Sequence, residues 1–265
     1  MKQRIVTGVL GGSFALVVLW AGGWWFAGLV VLLATIGYIE FCRMRGIGLN
    51  RIPTWVGLIV VWLLLVYGMA EHQLISNGLF RAPENVLIGF VLFLFLIVGT
   101  GNRFKVDEAA YMLFGSLYIG FGFSYMIQTR LMEDGLIWSL LVILVTWASD
   151  SGAYFIGKQF GRRKLWPSIS PNKTVAGHIG GLILSLAVSG LFALFLPELA
   201  AFSVFLLIGL VVSVVGQLGD LAESAIKRSH GVKDSGNLLP GHGGILDRFD
   251  SLLLAFPVLY LVHLF

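Results

Sequence analysis

Five carboxylates and several cations crowd the last quarter of this 265-residue chain. Asp220, Glu223, Ser224 and Lys227 are spaced i, i+3, i+4 and i+7, so a helix through them carries all four on one face. Asp247 and Asp250 are three apart at the start of the next apolar run. If that run is helical, both sit near its positive end. Two carboxylate pairs from different helices can hold a hard cation such as Mg²⁺ through oxygen, leaving positions for phosphate oxygens and water. Arg228, Lys233 and Arg248 lie between or beside the pairs and suit a polyphosphate. The loop Gly241-His242-Gly243-Gly244 can bring backbone N–H groups close to an anion. His242 is read as a hydrogen-bond donor to phosphate in preference to a general acid or base. Carboxylates, cations and glycines in one place indicate metal-assisted phosphoryl chemistry.

Two upstream clusters add to this set. Asp150 falls inside an apolar run, about eight residues or roughly 12 Å from its basic end. An ionisable group there is costly and needs a cation, a metal or water beside it. Gly152, Gly157 and Gly161 are read as leaving room for that partner. Ser170-Pro171-Asn172-Lys173-Thr174 reads as a turn before a helix that starts near Thr174. Free N–H groups at that start, with Lys173 alongside, make an anion site. The phosphate loop pattern G-x-x-x-x-G-K-[ST] is absent. His178 is a weaker candidate for ligand contact, and His230 reads as a plain loop residue.

The elements that must position these residues are membrane helices. Hydrophobic residues make up 57% of the chain, there are 34 Gly, and Asp, Glu, Lys and Arg together reach only 12%. A soluble domain of this size carries about 25% charged residues. The mean hydropathy is +0.89. These values exclude a soluble enzyme, a disordered chain and, with Cys42 as the single cysteine, a disulfide scaffold. A pI near 9.3 reflects basic loops on one membrane face and not nucleic-acid binding.

Apolar runs predict nine spans at 5–22, 24–41, 54–70, 86–100, 110–128, 136–157, 176–196, 201–219 and 246–265. The basic N-terminus is read as leading into a first span, because no small-residue cleavage site follows it. With the N-terminus in the cytoplasm, 16 of the 18 Lys and Arg fall on the inside, and only Arg81 and Arg130 outside. The fold class is therefore an all-α polytopic membrane protein of about nine transmembrane helices with a cytoplasmic N-terminus. It is one membrane domain over 1–265. Within it, 1–130 serves as scaffold with dimer or lipid contacts, and 136–265 carries the catalytic helices and loops. Gly115, Gly120, Gly122, Gly177, Gly180 and Gly181 suit close helix packing.

The pattern Ser224-x-x-Lys227-Arg228-x4-Lys233-Asp234-x-Gly236-x2-Leu239-Pro240-x-His242-Gly243-Gly244-x-x-Asp247-Arg248-x-Asp250 resembles the signature of the CDP-diacylglycerol synthases, or phosphatidate cytidylyltransferases. Asp150-x-x-Ala153-Tyr154 and Ser170-Pro171-x-Lys173-Thr174 are similar to further motifs of that family, and the likeness covers the chain. One departure is Ala176, where members often carry Glu. The resemblance implies transfer of CMP from CTP to phosphatidate, giving CDP-diacylglycerol and pyrophosphate with Mg²⁺. It also implies a homodimer in a bacterial-type cell membrane, with no nucleic-acid partner, and a site open to the cytoplasm.

On that basis Asp220 and Asp247 are the first expected metal ligands, with Asp150 and Asp250 next; a second, monovalent cation is left open. Asp220, Asp247, Asp150, Lys227 and Arg228 form the expected catalytic set. Ser170, Lys173, Ser224, Lys227, Arg228, Lys233, His242, Gly243, Gly244 and Arg248 are expected to hold substrate phosphates. Two other readings stand beside it. A transporter would use Asp150 and glycine-broken helices, but predicts inverted repeats that the sequence lacks. A CTP-dependent polyprenol kinase would transfer the γ-phosphate instead.

Overall fold

The computed structural model describes residues 2–72, 74, 75, 81–238, 241 and 243–264. Helices α1 (Lys2–Ala21), α2 (Gly23–Met44), α3 (Ile52–Glu71), α4 (Ala82–Gly99), α5 (Val106–Leu131) and α6 (Gly135–Phe160) come first. Strands β1 (Lys164–Trp166) and β2 (Ser170–Thr174) follow, then α7 (Val175–Phe195), α8 (Phe202–Ser229) and α9 (Leu246–Leu261). Among the described residues, seven of these helices, α2 to α8, are long and apolar enough to cross a membrane. The protein is thus all-α and polytopic.

The chain divides into two compact units. One comprises 1–136 and 234–248, the other 137–233 and 249–265. The signature loop therefore belongs with the N-terminal helices, and α9 begins in the first unit and continues in the second.

In the first unit, α5 packs on α2, α3 and α4, and α1 lies on α2. Its core includes Phe41, Leu58, Leu64, Leu65, Met112, Ile119, Phe123 and Ile127, all nearly inaccessible. Small residues set the helix spacing. Ser116 Oγ donates to Gly57 O at 3.1 Å and Ser124 Oγ to Leu64 O at 2.7 Å. Such bonds replace solvent for hydroxyls in an apolar interior. Arg130, one of the two cations on the predicted outer side, closes α1: its Nε donates to Leu19 O at 2.6 Å and Nη2 to Trp20 O at 3.1 Å. These two carbonyls end a helix and lack partners within it. Gly22 follows at φ +63°, where a Cβ would also overlap the guanidinium.

In the second unit, α7 packs against α8. A Cβ on Gly152 would come within 2.5 Å of Gly180 O, and one on Gly177 within 2.8 Å of Ala153 O. Gly152 and Gly157 thus bring the α6 and α7 backbones into contact. This corrects the expectation that they leave room beside Asp150. Gly161 lies too close to Thr174 to leave such room.

A short antiparallel hairpin joins α6 to α7, with Lys164 opposite Thr174 and Trp166 opposite Ser170. The sequence predicts only a turn there. Two strands of three and five residues with charged side chains carry no periodic signal. Thr174 is the N-cap of α7, its side chain accepting from Gly177 N at 3.1 Å.

Candidate active site

Helix α8 runs ten residues past the predicted end of its span, to Ser229. That extension is what places Asp220, Glu223, Ser224 and Lys227 on one helical face. Ser224 Oγ donates to Asp220 Oδ1 at 3.3 Å. Lys227 Nζ donates to Glu223 Oε2 at 2.9 Å, with side chains 10% and 1% exposed. One turn back, Lys173 on β2 reaches Asp220 Oδ2 at 2.6 Å. The polar face is therefore already charge-paired at two points. Gly219 lets α9 approach it: a Cβ there would lie 2.5 Å from Asp250 O.

Asp250 sits in the second turn of α9, partly buried, within the electrostatic reach of Asp220, Glu223 and Asp150. Its Oδ1 accepts from Ser251 N at 2.7 Å. Counted as ionised, Asp150, Asp220, Glu223 and Asp250 exceed Lys173 and Lys227 by two negative charges. A divalent cation offsets that excess, and three of the four carboxylates are hard oxygen donors not tied to Lys227. The residues fit Mg²⁺ in donor type and charge. Among the described residues, no three Asp, Glu, His or Cys side chains already converge to ligating distance.

Next to Asp150 a polar network ties α6, α7 and α8 together. His178 Nδ1 lies 2.5 Å from Gln217 Oε1, and Gln217 Nε2 donates to Ser213 Oγ at 3.1 Å and Ser149 Oγ at 3.3 Å. His178, a weak sequence candidate, is engaged here. Gln217 and Ser149 carry no motif and were invisible as a pair.

In the first unit, Asp247 occupies the first turn of α9 and gathers the signature loop around itself. Its Oδ2 accepts from Gly244 N at 2.8 Å and Ser235 N at 2.9 Å, with Ser235 Oγ at 3.0 Å. The glycine loop is predicted to present N–H groups to an anion, and the anion it holds is this carboxylate. Gly243, at φ +84°, has room for no Cβ, which would fall 2.5 Å from Asp247 Oδ2. Glu40 of α2, 5% exposed, completes the arrangement. Its Oε2 accepts from Leu246 N at 3.1 Å and lies 3.3 Å from Ser235 Oγ. Sequence reasoning passed over Glu40. The signal was there: it is the lone carboxylate of its apolar span, and such groups are costly.

The remaining candidates are more exposed. Arg228 Nη1 donates to Val232 O at 3.1 Å and turns the chain after α8. Lys233 and Arg248 are exposed, and Ser170 lies on β2. His242 lies outside the described residues.

Comparison with known proteins adds a separate line. The model of the cytidylyltransferase family matches residues 2–265. A phosphatidate cytidylyltransferase of Bacillus subtilis (strain 168) is 43% identical over 264 residues, covering 98% of this chain and 96% of that protein. Those of Staphylococcus haemolyticus and Staphylococcus saprophyticus are 39% and 40% identical over 259 and 262 residues, covering 98% of this chain and 97% of each relative.

Proposed function

The chain belongs to the cytidylyltransferase family, and from that premise we propose how its residues transfer CMP from CTP to phosphatidate. The products are CDP-diacylglycerol and pyrophosphate, and the setting is a lipid bilayer. A phosphatidate oxygen attacks the α-phosphorus of CTP, the new P–O bond forms, and the bond to the β-phosphate bridging oxygen breaks. The attacking phosphate is already an anion, so the chain need not supply a general base. Its task is to bind, orient and offset charge.

The single observation that supports this site is the charged face of α8, with Lys173 and Asp220 paired 2.6 Å apart and Asp250 under the influence of Asp220, Glu223 and Asp150. Asp220, Asp250 and Asp150 would hold Mg²⁺. Asp247 stays in the ligand set by its place in the signature, with Oδ2 committed to the loop. When bound, the cation offsets the negative charge of the triphosphate. Lys173 takes a phosphate as a compact point charge, and a phosphate on Lys173 with a cation on Asp220 replaces one charge pair by two. Ser170 and Ser224 contribute hydroxyls, while Lys227, Arg228, Lys233, His242 and Arg248 contribute donors to the phosphates. Gly243 and Gly244 keep the loop close-packed.

The same proposal has nine spans, a cytoplasmic N-terminus, a site open to the cytoplasm and a homodimer. The supporting observation for orientation is the 16 to 2 division of Lys and Arg.

The test uses purified protein, phosphatidate and Mg²⁺ with CTP labelled at either the α- or the γ-phosphate. The proposal expects α-label in lipid and γ-label in pyrophosphate. γ-Label in lipid would replace it with a kinase reaction, and label in neither lipid would leave a transporter as the better reading.

A further inference from the structure

A carboxylate buried among apolar helices is expensive unless hydrogen bonds replace its water. Glu40 is 5% exposed, and nothing in the reaction described above uses it. Its Oε2 has partners from two separate stretches of the signature segment. Leu246 N, at 3.1 Å, is the first N–H of α9 and has no acceptor within its own helix. Ser235 Oγ, at 3.3 Å, lies eleven positions earlier. The fit around the carboxylate is tight. A Cβ on Gly236 would lie 2.5 Å from Glu40 Oε1, and one on Gly244 would overlap Oε2. A side chain at either place would push the Glu40 carboxylate out of this position. Oε1 has no hydrogen-bond partner among the described residues, so the buried charge is tolerated for what Oε2 does.

Ser235 Oγ stands between two carboxylates, 3.3 Å from Glu40 Oε2 and 3.0 Å from Asp247 Oδ2. Glu40 of α2 and Asp247 of α9 thus flank the same serine hydroxyl, whose one proton they share. A carboxylate at the first N–H of a helix also meets the positive end of the helix dipole. Through Leu246 and Ser235, Glu40 fixes both where α9 begins and how it is turned about its axis. That rotation decides where Asp247 and Asp250 point, since each residue along a helix turns about 100°.

We propose that Glu40 of α2 is a positioning residue for the transfer reaction, holding Ser235 and Leu246 so that the loop and the α9 carboxylates keep their working orientation. This rests on the reading of Asp247 and Asp250 as part of the site, and its first readout is independent of that reading.

The experiment compares full-length wild type with Glu40→Gln, Glu40→Leu and Glu40→Asp in detergent. Hydrogen exchange followed by mass spectrometry, without substrate, reads the loop directly. Steady-state kinetics with α-labelled CTP reads the consequence. Leucine fills the site without an acceptor. Aspartate keeps the charge and withdraws it by one methylene. Both are expected to speed exchange over 235–247 while peptides of α7 remain as in wild type. Both are expected to lower kcat by about thirty- to a hundredfold, the scale of a misplacement near 1 Å, and to raise the Mg²⁺ concentration needed for half-maximal rate. Glutamine, whose amide oxygen still accepts both bonds, is expected to restore kcat to within about threefold of wild type.

Wild-type exchange in the loop of folded Glu40→Leu or Glu40→Asp overturns the inference, as does a kcat within threefold of wild type in either. If Glu40→Leu does not fold, Glu40→Asp decides alone. A wild-type protein that makes no labelled lipid would instead refute the assigned reaction, and the exchange result would still judge the role of Glu40 in holding the loop.

Discussion

Replacing Glu223 by alanine takes away the carboxylate 2.9 Å from an ammonium that is itself only 10% exposed. With both side chains this deep, water cannot fill in for the lost partner. Removing one member of a buried pair costs about 3–5 kcal/mol, whereas replacing both by apolar groups of similar volume is close to neutral. For a chain of this size each kcal/mol moves the melting temperature by about 2–4 °C. Glu223→Ala is therefore expected to melt about 6–20 °C below wild type. The double variant Glu223→Leu/Lys227→Met is expected to return to within about 4 °C. The assay is thermal unfolding of detergent-purified protein followed by fluorescence of its eight tryptophans. A Glu223→Ala protein melting within 2 °C of wild type would refute the idea that this pair is buried and paired in the working fold. A double variant as unstable as the single one would refute the attribution to the broken ion pair.

Other outcomes follow from particular contacts. Thr174→Ala removes the oxygen that accepts from Gly177 N at 3.1 Å and is expected to cost about 1 kcal/mol, while Thr174→Ser is expected to cost little; unfolding measurements compare them. Gly244→Ala places a methyl group on Ser235 Oγ and Glu40 Oε2, so it is expected to abolish most activity and to loosen the loop in hydrogen exchange. Gly231→Ala, at φ +69° but with open space around it, is expected to cost only about 1 kcal/mol of stability and leave turnover intact. Arg130→Ala frees two carbonyls at the end of α1 and is expected to raise exchange there without changing the KM for CTP.

Much of this architecture is legible in the residue order, and what is not has identifiable causes. Long apolar runs bounded by charge locate the helices to within a few residues, apart from the end of α8, which runs ten residues further, because a membrane span admits little else. The face shared by Asp220, Glu223, Ser224 and Lys227 follows from spacing alone once α8 continues past Gly219. The pairings on that face do not: Lys173 comes to Asp220 from 47 positions away, through a hairpin too short to leave a pattern. Asp247 is expected from the signature to ligate metal, yet its Oδ2 accepts from three groups of its own loop, where Gly243 turns the chain at φ +84°. Glu40 illustrates the converse. Its chemistry was available in the sequence as a lone acid in an apolar helix, but its partners lie nearly 200 positions later. The α6 glycines looked like space for a ligand and serve instead to seat α7, since only the fold decides what a missing side chain admits.

We propose that carboxylates of α8 and α9 hold the cation that supports CMP transfer to phosphatidate. The most direct measurement is incorporation of α-label from CTP into CDP-diacylglycerol across a Mg²⁺ titration, for wild type, Asp220→Asn and Asp250→Asn, each shown to be folded. Labelled lipid is expected from wild type, none in EDTA, and a loss in each variant that added Mg²⁺ partly restores. Wild-type rates and Mg²⁺ dependence in both variants would contradict it.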